Sequence, residues 1–202
     1  MSKTRIAVLV SGGGTNLQAL IDAEKSGIIK SGEIKLVISN KPDAFALERA
    51  KKADIATAVI EKKVNPNFES ELIAKLDNER IELIILAGFM CILSADFTNH
   101  FKDRIINVHP SLIPSFCGEG FYGLHVHEAA LSYGVKVTGA TVHFVNEIPD
   151  GGKIILQKAV EIKDGDTPEI LQKRVMEEAE WKILPEATEL LSSELLKKGE
   201  VK

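Results

Sequence analysis

Asn107 and His109 stand at the end of a short apolar run, Ile105-Ile106, and are followed by Pro110 and Pro114. On a strand, residues i and i+2 point to the same side. The prolines keep regular structure from continuing beyond the pair. An amide and an imidazole therefore emerge side by side where a strand gives way to a loop, the edge at which open α/β sheets bind ligands. The amide is a neutral donor suited to a developing oxyanion, and the imidazole exchanges a proton near neutral pH. The ordinary alternative is an Asn that caps a turn and a His bonded to backbone.

A second candidate site is Ser11-Gly12-Gly13-Gly14-Thr15-Asn16, between an apolar strand and a helical pattern. Glycines let backbone N–H groups approach an anion, and a helix N-terminus adds partial positive charge. A phosphate is the natural guest; a tight turn without a ligand is the alternative. A dinucleotide fingerprint would need a third glycine where Leu17 stands, and strand two ends in Ser39-Asn40 without an acid for a ribose. No Gly-Lys-Ser/Thr follows, so a Walker A loop is also excluded.

The elements that must position these residues alternate. Strands are expected at 6–10, 34–38, 56–60 and 83–86, with a fifth ending near Asn107. Helices are expected from Thr15 or Asn16, either of which can serve as cap, to Gly27; from an Asp43 cap through Ala53; over 68–80; and over 94–100. A Gly- and aromatic-rich loop, 115–123, leads to a helix from about His125 to Tyr133. Two long strands, 137–145 and 153–162, have no room for a helix between them and should pair antiparallel. A long helix begins near Pro168, with Pro185 expected to interrupt or kink it and residues 197–202 expected to fray. The fold expected is α/β: a Rossmann-like, open, mostly parallel twisted sheet with helices on both faces and an antiparallel C-terminal strand pair. One domain over 1–202 is expected, with a phosphate-binding half over about 1–100 and a catalytic half over about 85–202.

The chain has 202 residues, 45% hydrophobic and 27% charged, which suits one globular core. A net charge of −4 offers no basic face for nucleic acid. No apolar stretch is long enough for a membrane span, and no signal-peptide pattern leads the chain. The two cysteines, Cys91 and Cys117, lack metal or disulfide spacing, so free thiols in a reducing cytoplasm are expected. His125, His127 and His143 can be drawn as a metal site, but residues i and i+2 diverge on a helix, and no metal is expected. Asp164 and Asp166 are expected in solvent, one of them capping the last helix.

Four segments in this order, 11–17, Leu86-Ala87-Gly88-Phe89-Met90-Cys91-Ile92-Leu93-Ser94, 107–114 and Asp150-Gly151-Gly152, resemble the phosphoribosylglycinamide formyltransferase family over nearly the whole chain. The resemblance implies transfer of a formyl group from 10-formyltetrahydrofolate to the amino group of glycinamide ribonucleotide, in the cytoplasm and without a metal. A homodimer is compatible with it. It further implies Asn107, His109 and Asp150 as catalytic residues, with Asp150 raising the His109 pKa by its charge. Gly13, Gly14, Thr15, Asn16 and Glu180 would bind the ribonucleotide. Met90, Cys91, Ile92 and Leu93, together with Asn107, would bind the folate. Many members carry Arg where Cys91 stands, and often another before the third helix, where this chain has Asn65-Pro66-Asn67-Phe68. The helix around Glu180 is one residue longer, and loop 115–123 is longer than in some relatives. The nearest rivals are a formyltetrahydrofolate hydrolase and the formyltransferase acting on initiator tRNA; these usually carry an added N-terminal or C-terminal domain, and neither is expected here. A rival of another class is a non-catalytic phosphometabolite-binding module.

Overall fold

The structure is a computed structural model and describes residues 3–200. Seven strands form one sheet in the order β3-β2-β1-β4-β5-β6-β7. They are β1 Thr4–Val10, β2 Gly32–Ser39, β3 Ala56–Val59, β4 Leu83–Leu86, β5 Ile105–His109, β6 Val137–Phe144 and β7 Ile154–Glu161. Strands β1 to β5 run parallel, whereas β6 is antiparallel to β5 and to β7. The chain winds from β1 out to β3 and then returns to lay β4 beside β1. The crevice at that switch lies beyond the C-terminal ends of β1 and β4.

Alternation along the strands divides the core. On one face Ile6, Val8 and Val10 of β1 pack with Leu17 and Leu20 of α1 (Thr15–Ser26), Ala46 and Ala50 of α2 (Phe45–Lys52) and residues of the C-terminal helices. On the other face Ala7 and Leu9 pack with Leu72 and Leu76 of α3 (Phe68–Asn78) and Phe97 of α4 (Ala95–His100). Such double-sided burial explains why β4 is apolar at every position. Helix α5 (Leu124–Tyr133) follows loop 115–123, and α6 (Pro168–Val175), a π turn (Met176–Glu180) and α7 (Trp181–Glu200) follow β7. Among the described residues no helix is long and apolar enough to cross a membrane.

Several local expectations change. Gly14, and neither Thr15 nor Asn16, precedes α1 as its cap, in a left-handed conformation at φ 72°. A Cβ at Gly14 would lie 2.6 Å from that of Ala46, so only glycine fits. Ala44 rather than Asp43 precedes α2, with no side-chain cap. Helix α6 is capped by Thr167, whose hydroxyl accepts from the Ile170 N–H. Asp166 instead bonds both Arg174 guanidinium nitrogens, at 2.5 and 2.6 Å. Helix α7 runs through Pro185. The irregularity lies earlier, in the π turn, the form in which a helix accommodates an extra residue. Residues 197–200 remain helical; 201 and 202 lie outside the described residues.

Candidate active site

Strand β5 extends to His109, two residues beyond Asn107, because β6 pairs with it there: Asn107 faces His143 and His109 faces Thr141. The Thr141 hydroxyl accepts from the Ile113 N–H at 3.1 Å and donates to the Ser111 carbonyl at 2.7 Å, which pins the turn after His109. Asp150 arrives from the turn between β6 and β7, in the left-handed region at φ 55°, which Asp tolerates better than most residues. A Cβ on Gly152 would overlap the Phe144 carbonyl, so glycine is required for the turn to fold this close.

The structure brings Asn107, His109 and Asp150 together and adds His143. Asp150 Oδ2 lies 3.4 Å from His109 Nδ1, and Asp150 Oδ1 lies 3.5 Å from His143 Nε2. The Asn107 amide nitrogen is 3.2 Å from His143 Nε2, and His143 Nδ1 is 2.8 Å from the Phe144 carbonyl. A carbonyl only accepts, so His143 Nδ1 carries a proton. Its Nε2 lies between the Asn107 amide and the Asp150 carboxylate, accepting from the first when it carries no proton and donating to the second when it does. His109 Nε2 bonds the Phe116 carbonyl at 2.8 Å, and the Gly118 N–H donates to Asp150 at 2.9 Å.

Burial is the largest influence on His109 and lowers its pKa; the Asp150 charge and the Phe116 carbonyl act upward but do not prevail. The expected rise is therefore reversed, because the imidazole is only 4% exposed. Burial pushes the Asp150 carboxyl up, but the His143 bond, the His109 charge and the Gly118 N–H outweigh it and hold the pKa below its ordinary value. An ionised carboxylate thus sits beside an imidazole that readily gives up its proton.

The glycine loop follows β1. Its Ser11 hydroxyl accepts from the Met90 N–H at 2.8 Å, which ties it to the loop after β4. Sequence reasoning did not single out Arg49. Its guanidinium donates to the Gly13 carbonyl at 2.8 Å and to Gln18 at 3.1 Å, setting a cation beside the α1 N-terminus. Asn16 donates to Glu180 at 2.7 Å across the fold, while Asn16 Oδ1 is buried without a partner. Glu180, the last residue of the π turn, is 6% exposed. Burial pushes its pKa up to about 7, against the opposing Asn16 bond. The first and last thirds of the chain thus meet at one carboxyl group.

Residues 88–94 form an irregular segment after β4, between the glycine loop after β1 and Asn107 on β5. Met90 and Ile92 are 51% and 65% exposed, an apolar pair fit for a flat heterocycle. Lys62 donates to the Ile92 carbonyl at 3.0 Å, Glu69 accepts from the Ser94 N–H at 2.9 Å, and Asn40 donates to Cys91 Sγ at 3.0 Å. Before the third helix it is thus a lysine that reaches this segment. Burial raises the Cys91 thiol pKa, which suits a packed thiol better than a nucleophile. Cys91 and Cys117 are both free. Among the described residues no group of His, Cys, Asp and Glu could hold a metal. His125 pairs with Glu128 at 3.0 Å in solvent, whereas His127 is fully buried with neither ring nitrogen bonded.

A family model described as formyl transferase matches residues 4–188. The chain belongs to the formyl transferase family. It is 44% identical over 173 residues to the phosphoribosylglycinamide formyltransferase of Escherichia coli (strain K12), covering 84% of this chain and 79% of that protein. It is 46% identical over 201 residues to the Homo sapiens trifunctional purine biosynthetic protein adenosine-3, covering 98% of this chain but 19% of that protein. The chain thus spans about a fifth of the length of the trifunctional relatives it matches. Among solved structures, glycinamide ribonucleotide transformylase 1 from Symbiobacterium toebii superposes with a TM-score of 0.88 at 41% identity, covering 95% of this chain and 88% of that one. The seven-stranded, mostly parallel sheet with its antiparallel C-terminal strands is the fold expected from the sequence.

Proposed function

We propose that this formyl transferase moves the formyl group of 10-formyltetrahydrofolate to the amino group of glycinamide ribonucleotide, a step of de novo purine synthesis. The observation that carries the reading is the convergence of Asn107, His109 and Asp150 at the strand edge that also carries two unlike surfaces. One is the glycine loop with Arg49 and Glu180, suited to a phosphorylated ribose. The other is the Met90–Ile92 apolar pair, suited to a pteridine. Names of relatives over most of the chain agree with this assignment.

In this reading the Asn107 amide donates to the formyl oxygen as negative charge develops there. His109, when protonated, sets a positive charge beside the same region, with Nε2–H on the Phe116 carbonyl and Nδ1–H toward Asp150. Asp150 accepts the proton that the attacking amine must lose, directly or through water, and that proton passes on to the folate nitrogen as its bond to the formyl carbon breaks. His143 is a positioning residue that orients the Asn107 amide and bears on Asp150. The glycine loop, with Gly13, Gly14, Thr15 and Asn16, holds the phosphate, and Glu180 accepts from ribose hydroxyls. The backbone of Met90, Cys91, Ile92 and Leu93 binds the folate. No side-chain nucleophile and no covalent enzyme intermediate is required. We read the chain as one domain and place it in the cytoplasm, supported by two free thiols. A homodimer is compatible with this reading and is tested by sedimentation velocity.

The test mixes the purified protein with 10-formyltetrahydrofolate, with and without glycinamide ribonucleotide. Folate release only with the ribonucleotide is the expected result. Release without it would point to a hydrolase, formylation of initiator tRNA to the tRNA enzyme, and no release under any condition to a phosphometabolite-binding module.

A further inference from the structure

Loop 115–123 reaches the acid–base pair directly. Two of its backbone groups touch the acid–base pair: the Phe116 carbonyl meets His109 Nε2, and the Gly118 N–H meets Asp150 Oδ2. The carbonyl has no hydrogen to give, so the proton in the first contact belongs to Nε2. This leaves Nδ1 as the nitrogen that gains and loses a proton, and Nδ1 is the one turned to Asp150. Any proton that the pair takes up therefore sits at Nδ1, between His109 and Asp150.

The loop holds this shape against its own backbone preferences. Phe116 adopts φ 49°, a left-handed value that a non-glycine residue keeps only when its surroundings enforce it. The enforcing contacts are aromatic. The Phe116 ring packs edge-on against Phe121 at 6.3 Å and against Tyr133 at 6.0 Å between centroids. Tyr133 ends α5 and is 81% exposed, so its ring does little for the core. The Ser115 N–H bonds the Leu112 carbonyl, the Cys117 thiol bonds the Pro114 carbonyl, and the Phe121 N–H bonds the Gly118 carbonyl.

We propose that loop 115–123 is a backbone clamp that assigns the working nitrogen of His109, and that Phe116, anchored on Phe121 and Tyr133, is a positioning residue for the acid–base pair. The proposal rests on the reading of His109 and Asp150 as catalytic, but its first test does not depend on activity.

That test is 15N NMR of protein labelled in histidine. The titratable groups facing His109 are Asp150 from the β6–β7 turn, His143 from β6 and His127 from α5. The neutral His109 ring is expected as the Nε2–H form, with Nδ1 the nitrogen that responds to pH. A neutral Nδ1–H ring would overturn the proposal whether or not the protein transfers formyl groups. The second test compares Phe116→Ala, Phe116→Tyr and Tyr133→Ala. The alanine variant at 116 is expected to lose about tenfold to hundredfold in kcat, the scale of a small misplacement of reacting groups. Its KM for the ribonucleotide should stay within about twofold, since the phosphate site is elsewhere. The Phe116 carbonyl favours protonated His109, so the limb of the kcat–pH profile that reports His109 should move to lower pH. Phe116→Tyr should keep the ring and restore both, and Tyr133→Ala should move them in the same direction but less. Unchanged kcat and pH profile in both alanine variants would overturn the assignment. Should Phe116→Ala fail to fold, the surface variant Tyr133→Ala and the NMR decide.

Discussion

Replacing Glu180 by Gln should make the ligand-free protein more stable and less able to bind its ribonucleotide. The carboxyl is 6% exposed, and its only described bond comes from Asn16. Burial raises its pKa from 4.5 to about 7. Below pH 4.5 the folded and unfolded states are both protonated and the group costs nothing. Between 4.5 and about 7 the unfolded chain releases a proton that the folded chain retains, so stability falls as pH rises. Above about 7 both are ionised and the cost is constant. A gap of about 2.5 pH units at about 1.36 kcal/mol each gives roughly 3 kcal/mol at pH 8 and less than 1 kcal/mol at pH 5. Gln carries no charge at any pH, still accepts from Asn16, and brings an N–H₂ toward the unpartnered Asn16 Oδ1. For a chain of this size the full effect is about 6–12 °C in Tm. The assay is thermal unfolding of both proteins without ligand at pH 5 and pH 8. The gain should be large at pH 8 and small at pH 5, while KM for the ribonucleotide rises with kcat nearly unchanged. A Gln variant no more stable than wild type at pH 8, or equally favoured at both pH values, would refute the buried-carboxyl reasoning.

Three further outcomes are expected. His109→Ala and Asp150→Asn should each reduce kcat by about 10²–10⁴-fold, with ribonucleotide binding by calorimetry little altered; near-normal turnover in either would remove that residue from the catalytic assignment. Arg49→Ala removes the cation beside Gly13 and should raise the ribonucleotide KM about 10-fold to 100-fold, the scale of a charge-assisted bond, measured by steady-state kinetics; an unchanged KM would place the phosphate elsewhere. His127 is buried, and burial lowers its pKa to about 4, with the His109 charge acting the same way. Its neutral form is favoured on folding, so wild type should lose stability as pH falls from about 6.5 to about 4; His127→Leu should lose less in melts over that window, and identical acid sensitivity would exclude His127 as the cause.

The strands and most helices were legible because their signals are local. Leu83 to Leu86 is apolar throughout because β4 is covered on both faces, and the 68–78 helix shows its buried stripe at Phe68, Leu72 and Leu76. The caps were less legible. Gly14 displaced Thr15 and Asn16 because α2 approaches the loop closely, with Ala46 pressed against it, and no feature of 11–16 reports that approach. In the sequence His143 reads as a candidate metal ligand, not as part of the centre. An antiparallel β6–β7 pair could be expected from the sequence; the β5–β6 register that sets Asn107 opposite His143 could not. Arg49 carried no motif, since its role depends on how α2 packs beside α1.

Residue types and short spacings set the chemistry available: an amide, an imidazole and a carboxylate near neutral pH, a glycine loop for an anion, and an alternating pattern that forms one sheet. Periodicity and short motifs suffice for these because each depends on neighbours within a few residues. The tertiary structure decided which groups act on one another and in what protonation state. Burial lowered the His109 pKa where the Asp150 charge alone would have raised it, and the same effect brought Glu180 to about 7. Desolvation is a property of everything packed around a group, supplied here by β6, the 146–152 turn, loop 115–123 and a π turn more than 160 residues from Asn16 in sequence. The charge state of the site is therefore written in the fold rather than in any motif.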